Sequence, residues 1–181
     1  MDLRGWDERY RSLREAGPPT PLLVKIASQL KPGRALDLAC GAGRNAIWLA
    51  EHGWRVTAID GSPAAIELIR SKHPQIDVRV ADLEKGEYTI EPDAWDLIAM
   101  CYYLQRDLFE PAKRGVAPGG VVLAIVHIAG PGEELTRFRL PSGELRSHFR
   151  DFEILHAYEG PPVDPAHHQW VAEIAGRRVI C

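Results

Sequence analysis

The sequence predicts an α/β protein with a mostly parallel sheet and helices on both of its faces. Short apolar segments alternate with helix-length segments between residues 34 and 127, at the spacing of strand–helix–strand units. The run Val121–Val126 is apolar throughout, as expected for a parallel strand buried on both faces. After residue 150 two strand-like segments follow each other with no helix-length segment between them, so they must pair antiparallel.

Apolar runs and turn residues set the expected element boundaries. Ser62 and Pro63 are typical of a helix N-cap and first turn, and Pro118-Gly119-Gly120 is typical of a turn that precedes a strand. The predicted parallel strands are 34–39, 55–59, 76–81, 95–100 and 121–126, the predicted helices 45–52, 63–73 and 107–115, and the antiparallel strands 152–159 and 170–179.

Composition restricts the classes of function. A chain of 181 residues with 45% hydrophobic residues can form one domain with a sizeable core. The net charge of −3 and the scattered basic residues make nucleic acid an unlikely partner. The sequence has no apolar run near the ~20 residues that span a bilayer and no apolar secretory signal, so we expect a cytoplasmic protein without membrane contact.

The cysteines and the paired histidines do not predict a metal site. Cys40, Cys101 and Cys181 have no metal-ligand spacing and are expected to be free thiols. Neighbouring residues on a strand point to opposite faces, so His167 and His168 are interpreted as part of a polar loop rather than as metal ligands.

The most informative segment is Ala35–Ala46, with the sequence ALDLACGAGRNA. An apolar strand leads into a loop with two glycines and then into a helix. Gly41 and Gly43 lack Cβ atoms, so their backbone can approach a ligand closely. Asp37 lies inside the strand pattern, where an ionised carboxylate needs a partner such as a cationic ligand amine.

This segment resembles motif I of the class I S-adenosylmethionine-dependent methyltransferases, an acid followed by small residues and Gly-x-Gly. It also fits the dinucleotide fingerprint, Gly-x-Gly-x-x-Gly/Ala. Asp37 favours the first interpretation, because a pyrophosphate requires a helix N-terminus without an opposing carboxylate, whereas the sulfonium ligand brings an ammonium group.

The resemblance implies a Rossmann-like seven-stranded sheet in the order 3-2-1-4-5-7-6, whose last strand is antiparallel. It implies S-adenosyl-L-methionine as cofactor and S-adenosyl-L-homocysteine as product. In such proteins an acid at the end of strand two accepts hydrogen bonds from the ribose hydroxyls, and the resemblance implies this role for Asp60. Dinucleotide enzymes use an acid at this position as well. The expected cofactor-binding residues are Trp6, Tyr10, Asp37, Ala39, Cys40, Gly41, Gly43, Asn45, Asp60, Gly61, Ser62, Ala81, Asp82, Leu83, Cys101 and Tyr102.

Two segments have separate expected roles. The segment 81–83 resembles the one that flanks the adenine, with the Asp82 carboxylate accepting from the exocyclic amine. The segment 101–103 ends strand four, on the methionine side of the cofactor. Each acid has a simpler interpretation: Asp60 belongs to a turn and helix cap, and Asp82 only ends a strand.

A narrower resemblance rests on two short motifs. Gly41–Asn45 (GAGRN) and Trp6–Tyr10 (WDERY) are similar to the tellurite-resistance-type methyltransferases. That resemblance implies an N-terminal helix over the cofactor. The alternative is that Trp6 and Tyr10, four residues apart, form a helix stripe packed on the core.

Candidate catalytic residues are expected where strands four and five end, because open α/β sheets bind ligands at the carboxyl ends of their strands. These residues are Tyr102, Tyr103 and His127. His127 has a reference pKa near ~6.5, which suits a general base, or else it is a strand-end residue bonded to backbone. Arg137 and Arg139 in the next loop either bind an anionic acceptor or are solvated.

The expected function is methyl transfer to a small-molecule acceptor such as tellurite, a thiol or a small acid. The alternatives are a methyltransferase acting on RNA or protein, a non-catalytic S-adenosylmethionine-binding module, and a nucleotide-dependent oxidoreductase. One domain is expected over residues 1–181, with an N-terminal helical lid and first helix (about 1–30), a cofactor-binding core (34–127), a substrate-side loop (128–150) and a C-terminal strand hairpin (151–181).

Overall fold

A computed structural model of the chain describes residues 3–180, so Cys181 lies outside the described residues. The chain divides into two units, residues 1–89 and 90–181. The helices are α1 (Leu3–Ser12), α2 (Pro21–Ala27), α3 (Arg44–Glu51), α4 (Pro63–Lys72), α5 (Phe109–Gly115) and α6 (Glu144–Ser147). The strands are β1 (Arg34–Leu38), β2 (Arg55–Asp60), β3 (Asp77–Val80), β4 (Trp95–Cys101), β5 (Val116–His127), β6 (Phe152–Gly160) and β7 (Val171–Arg178).

The strand order is β3-β2-β1-β4-β5-β7-β6, which confirms the expected seven-stranded sheet. In the first unit β1 and β3 each pair with β2 in parallel. In the second unit β4 and β5 are parallel, whereas β7 pairs antiparallel with both β5 and β6. The expectation of a single domain remains a prediction.

Burial of apolar side chains stabilises the strands of each unit. The last four residues of β1 and the last five of β2 are buried, and residues 120–126 of β5 are buried without a break. Continuous burial on both faces is the property that the apolar run of β5 predicts. No described helix is long and apolar enough to cross a lipid bilayer.

The Pro118-Gly119-Gly120 segment differs from the turn that the sequence predicts. β5 already begins at Val116, which pairs with Trp95 of β4, and the next pair is Leu97 with Val121. The segment is therefore a bulge inside the strand, where Gly119 takes a φ of +84° that glycine adopts without strain. The strand starts early because backbone partners on β4 extend beyond the apolar run.

The other predicted elements are present, with small differences at their ends. The predicted helix 107–115 starts with a 3-10 turn at Arg106–Leu108 before α5. The side chain of Ser62 accepts from the N–H of Ala65 and caps α4, as predicted. The N-terminal region contains two short helices, α1 and α2, joined by a segment without regular secondary structure.

Ala39, which follows β1, takes a φ of +54°, in the left-handed region that disfavours a Cβ atom. Ala39→Gly is expected to raise the free energy of unfolding by up to about 1 kcal/mol in urea denaturation, because glycine removes this strain. Ala50→Gly, inside α3, is the matched control and should lower the same quantity by about 1 kcal/mol. If Ala39→Gly is instead less stable than the wild type, the strained left-handed backbone assigned to Ala39 is wrong.

Candidate functional site

The glycine loop after β1 lies against the end of β2 within the first unit. Because β1 and β2 are parallel neighbours, their carboxyl ends meet, and Cys40 N–H donates to the Ile59 carbonyl over 2.9 Å. Gly41 N–H then donates to Asp60 Oδ2 over 2.8 Å, and Ser62 N–H donates to Asp60 Oδ1 over 2.8 Å. Gly41 and Asp60, two of the expected cofactor-binding residues, are therefore hydrogen-bonded to each other.

Asp37 is the least satisfied polar group of this loop region. Its side chain is buried, and the N–H of Ala46 donates to one carboxylate oxygen. The other oxygen, Oδ2, is buried and has no hydrogen-bond partner among residues 3–180. Burial raises the pKa of Asp37 from 3.8 to about 7, and the nearby Asp60 carboxylate acts in the same direction.

The surroundings also disfavour negative charge on the neighbouring groups. Burial raises the pKa of Asp60, and the two backbone N–H groups that it accepts from only partly oppose this effect. Burial also raises the pKa of the Cys40 thiol, followed by the charges of Asp37 and Asp60. Two carboxyl groups and a neutral thiol therefore lie near one another, an arrangement in which added positive charge would be favourable.

Helix α1 lies over this loop. The hydroxyl of Tyr10 would lie 2.5 Å from a Cβ atom built on Gly41, so only glycine permits this approach. Burial raises the pKa of Tyr10, and the charge of Asp60 adds to the effect. Trp6 stacks on Tyr10 with ring centroids 5.9 Å apart and is 39% exposed. No residue of α1 is buried, so the structure does not support a stripe packed on the core.

Asp7 attaches α1 to the start of α4, a role that the sequence analysis missed. Its Oδ1 accepts from the hydroxyl of Ser62 over 2.7 Å and from the N–H of Ala64 over 3.0 Å. These hydrogen bonds lower the pKa of Asp7 to about 2, the one from Ser62 most strongly. Its place inside the Trp6–Tyr10 motif was the available signal, but only the fold shows that its partner is a helix N-terminus.

The remaining predicted residues of the first unit have mainly structural contacts. Asn45 Oδ1 accepts from the N–H of Thr20 over 2.9 Å and so holds the segment before α2. Asp82 caps a 3-10 turn by accepting from the N–H of Glu84, and it forms an ion pair with Lys85 at 2.8 Å. Ala81 and Leu83 are buried, and Gly61 lies against Leu3 of α1. Their roles toward a cofactor remain predictions.

The second unit brings together Tyr102, His127, His167 and Asp164, here called the ring cluster. Tyr102 stacks on His167 with centroids 3.4 Å apart and planes 5° from parallel. His127 lies 5.7 Å from Tyr102 and 5.6 Å from His167. The Tyr102 hydroxyl donates to Asp164, a buried residue, over 3.2 Å.

The sequence analysis missed the contribution of the β6–β7 loop to this cluster. His167 and His168 lie in a loop as predicted, but His167 packs on the ring that follows β4. Local sequence contains no signal for a contact across 65 residues, which depends on the order of the strands. Within residues 3–180 no group of three His, Cys, Asp or Glu side chains could hold a metal ion.

Tyr103 and Cys101 contribute less to the ring cluster. The Tyr103 hydroxyl donates to Gln105 over 2.7 Å, next to its own strand end. Cys101 is half-buried and Cys40 is buried, and neither forms a disulfide within the described residues. The expected contact of Cys101 and Tyr102 with a cofactor, and the catalytic role of Tyr103, remain predictions.

Comparison with known proteins shows which family part of this chain resembles. Residues 35–120, which contain both β1 with its glycine loop and β4, match the family described as methyltransferase domain. Over these residues the chain is similar to methyltransferase domains, the class of protein that the sequence predicts. The match begins at the strand that carries Asp37 and ends at the bulge of β5.

Individual relatives of the chain differ in the length they share. The chain is 30% identical to the cypemycin N-terminal methyltransferase of a Streptomyces species, over 77% of the chain and 59% of that protein. It is 23% identical to the thiopurine S-methyltransferase of Vibrio cholerae, over 80% of the chain and 78% of that protein. The chain spans about half the length of several other curated relatives that it matches.

The crystal structure of TehB from Haemophilus influenzae has a TM-score of 0.74 to this chain, with 20% sequence identity. The alignment covers 97% of this chain and 66% of that chain. It confirms, at the level of the fold, the predicted resemblance to the tellurite-resistance type.

The raised pKa of Asp37 predicts how the stability of the ligand-free protein depends on pH. Between about pH 4 and pH 7 the folded protein holds the Asp37 proton while the unfolded chain has lost it, so the free energy of unfolding falls as pH rises. Asp37→Asn should remove this part of the slope and stabilise the ligand-free protein at pH 8. A pKa of about 7 instead of 3.8 corresponds to at most about 4 kcal/mol.

Urea denaturation from pH 5 to pH 8 measures this effect. Asp107→Asn is the matched control, because Asp107 is exposed and its substitution should leave the slope unchanged. If Asp37→Asn is no more stable than the wild type at pH 8, the ionised Asp37 carboxylate does not destabilise the ligand-free protein as predicted.

Proposed function

We propose that the protein transfers a methyl group from S-adenosylmethionine to a small-molecule acceptor. The observation that carries the proposal is the buried Asp37 oxygen without a partner, two residues before the left-handed turn of the glycine loop. An aminoacyl ammonium group would donate a charge-assisted hydrogen bond to that oxygen and lower its pKa toward the ordinary range.

The neighbouring residues fit the rest of such a cofactor. Each Asp60 oxygen accepts one backbone N–H and keeps a further lone pair for a ribose hydroxyl. The absence of a Cβ atom at Gly41 leaves backbone that a ligand can contact. Tyr10 and Trp6 would cover the bound nucleoside from α1, and Ala81, Asp82 and Leu83 would flank the adenine.

The cofactor supplies an activated methyl group on a sulfonium, so the protein mainly has to position the acceptor and exclude water. Tyr10 is suited to exclude water from the glycine loop, since its ring already covers Gly41. Asp7 is suited to hold α1 in that position through its bonds to the start of α4.

The charges around the loop oppose a dinucleotide cofactor. A pyrophosphate would bring negative charge close to Asp37 and Asp60, whose pKa values are already raised. Like charges in a buried site repel each other strongly. A nucleotide-dependent oxidoreductase is therefore the weaker alternative.

A small-molecule acceptor is supported by composition and by relatives. The chain carries a net charge of −3, which is unfavourable for binding a nucleic acid. Two of the relatives are named for small aromatic acceptors, a thiopurine and 2-heptyl-1-hydroxyquinolin-4(1H)-one. A tellurite, thiol or small-acid acceptor belongs to this proposal, as does action in the cytoplasm. The alternatives are action on RNA or protein and binding of the cofactor without catalysis.

Titration calorimetry with S-adenosylhomocysteine and with NADH tests the proposal. We expect S-adenosylhomocysteine to bind and NADH not to bind measurably. Asp37→Ala and Asp60→Ala should each weaken binding by about 10- to 100-fold, because each removes hydrogen bonds to a charged group. Asp107→Ala is the matched control, since its exposed carboxylate lies outside the first unit.

Two results of this experiment would overturn the proposal. One is a preference for NADH, and the other is unchanged affinity for S-adenosylhomocysteine in folded Asp37→Ala and Asp60→Ala proteins. Circular dichroism of each variant establishes that it is folded.

A further inference from the structure

The second unit contains a cavity of about 320 Å³ beside α6, here called the α6 cavity. This volume lies in the range of cavities that bind small molecules. The lining residues are Gly143, Arg146, Ser147, Phe149, Arg150 and Ile154. All of them belong to residues 90–181, so the cavity is a feature of the second unit alone.

Two arginines give the α6 cavity a positive charge. Arg146 and Arg150 are exposed, lie four residues apart and line the same cavity, and none of the lining residues is acidic. Neither guanidinium group forms an ion pair or a hydrogen bond with another residue of the described range, 3–180. Like charges beside one small cavity repel each other, and a bound anion would offset this repulsion.

The acidic residues nearest to this segment in the sequence each have another cation as partner. The ion pairs are Glu144 with Arg106 at 2.6 Å, Asp151 with Lys113 at 2.8 Å, and Glu153 with Arg177 at 3.4 Å. Since these carboxylates are already paired elsewhere, they do not neutralise the two arginines of the α6 cavity. The charge of both guanidinium groups therefore remains for a ligand.

The backbone that carries the two arginines is held in place. The Glu159 carboxylate accepts from the N–H of Gly143 over 2.8 Å and from the hydroxyl of Ser142. Gly143 takes a φ of +82°, which glycine adopts without strain. Leu145 and Phe149, each directly before one of the arginines, are buried and anchor the segment. A fixed backbone reduces the ordering cost of binding a ligand.

The α6 cavity also has apolar lining residues. Ile154 of β6 is half-buried there. Phe149 packs edge-on against Phe109 and Phe152, with ring centroids 6.3 Å and 5.8 Å away. The aliphatic stems of arginine side chains are apolar as well. A ligand that fills the cavity therefore meets carbon atoms in addition to two guanidinium groups, which favours an anion that carries an apolar body.

We propose that the α6 cavity binds a small organic anion, with its carboxylate or phosphate group against Arg146 and Arg150 and its apolar body against Ile154 and Phe149. Guanidinium groups bind both kinds of anion through paired N–H donors. Burial of the apolar body supplies the rest of the affinity. This inference goes beyond the proposed function, since it assigns a ligand to the second unit and is independent of methyl transfer.

Four probes separate the charge from the apolar body. Hexanoate and hexyl phosphate carry both, acetate lacks the apolar body, and 1-hexanol lacks the charge. In ¹H–¹⁵N correlation spectra of the full chain, we expect hexanoate or hexyl phosphate to shift the amide resonances of Gly143 and Ser147 to saturation, and the tighter of the two identifies the anionic group. Acetate and 1-hexanol should each bind at least about 10-fold more weakly, because each lacks one source of affinity.

Substitution of the two arginines provides the second readout. Arg146→Gln and Arg150→Gln should each weaken binding of the tighter anion about 3- to 10-fold, because each removes one exposed charge-assisted contact. The double variant should show no saturable shift. Arg114→Gln is the matched control, because Arg114 is exposed in the same unit but does not line the cavity, and it should bind like the wild type. Circular dichroism establishes that each variant is folded.

Three results would overturn the inference. The first is the absence of a saturable shift at Gly143 and Ser147 with either amphipathic anion. The second is equal affinity for acetate or for 1-hexanol, which would mean that the cavity does not recognise charge and apolar body together. The third is unchanged affinity in the folded Arg146→Gln and Arg150→Gln proteins, or an equal loss in Arg114→Gln.

Discussion

The buried carboxyl group of Asp37 is the constraint around which the first unit is arranged. A strand residue buried on both faces would normally be apolar, yet an acid with one unbonded oxygen stands here. The Asp60 carboxylate lies near it and accepts from the N–H of Gly41, over which the Tyr10 ring lies. If an ammonium group binds at this oxygen, as we propose, part of the free-energy cost of burying the carboxylate would be recovered as binding free energy.

The described part of the second unit also contains a buried polar atom without a hydrogen-bond partner, Nδ1 of His127. The rings of Tyr102 and His167 lie within 6 Å of the His127 ring, measured between centroids.

The sequence predicted the fold well because strand burial and glycine loops leave local patterns. The apolar run of β5 and the segment 35–46 specified a parallel sheet and its loop, and the resemblance supplied the strand order. Contacts that depend on the fold were not predictable. Asp7 is hydrogen-bonded to the start of α4, 55 residues away in sequence, and His167 of the β6–β7 loop stacks on Tyr102. The bulge at Gly119 was missed because backbone pairing extends beyond the apolar run.

Proton release on binding tests the central role of Asp37 most directly. At pH 6.5 the ligand-free protein holds most of the Asp37 proton, since the pKa is about 7. Calorimetry of S-adenosylhomocysteine binding in two buffers of different ionisation enthalpy should therefore show release of a proton by the wild type and none by Asp37→Asn. Equal proton release by both proteins, or none by the wild type, would contradict the pairing of Asp37 with the ligand ammonium group.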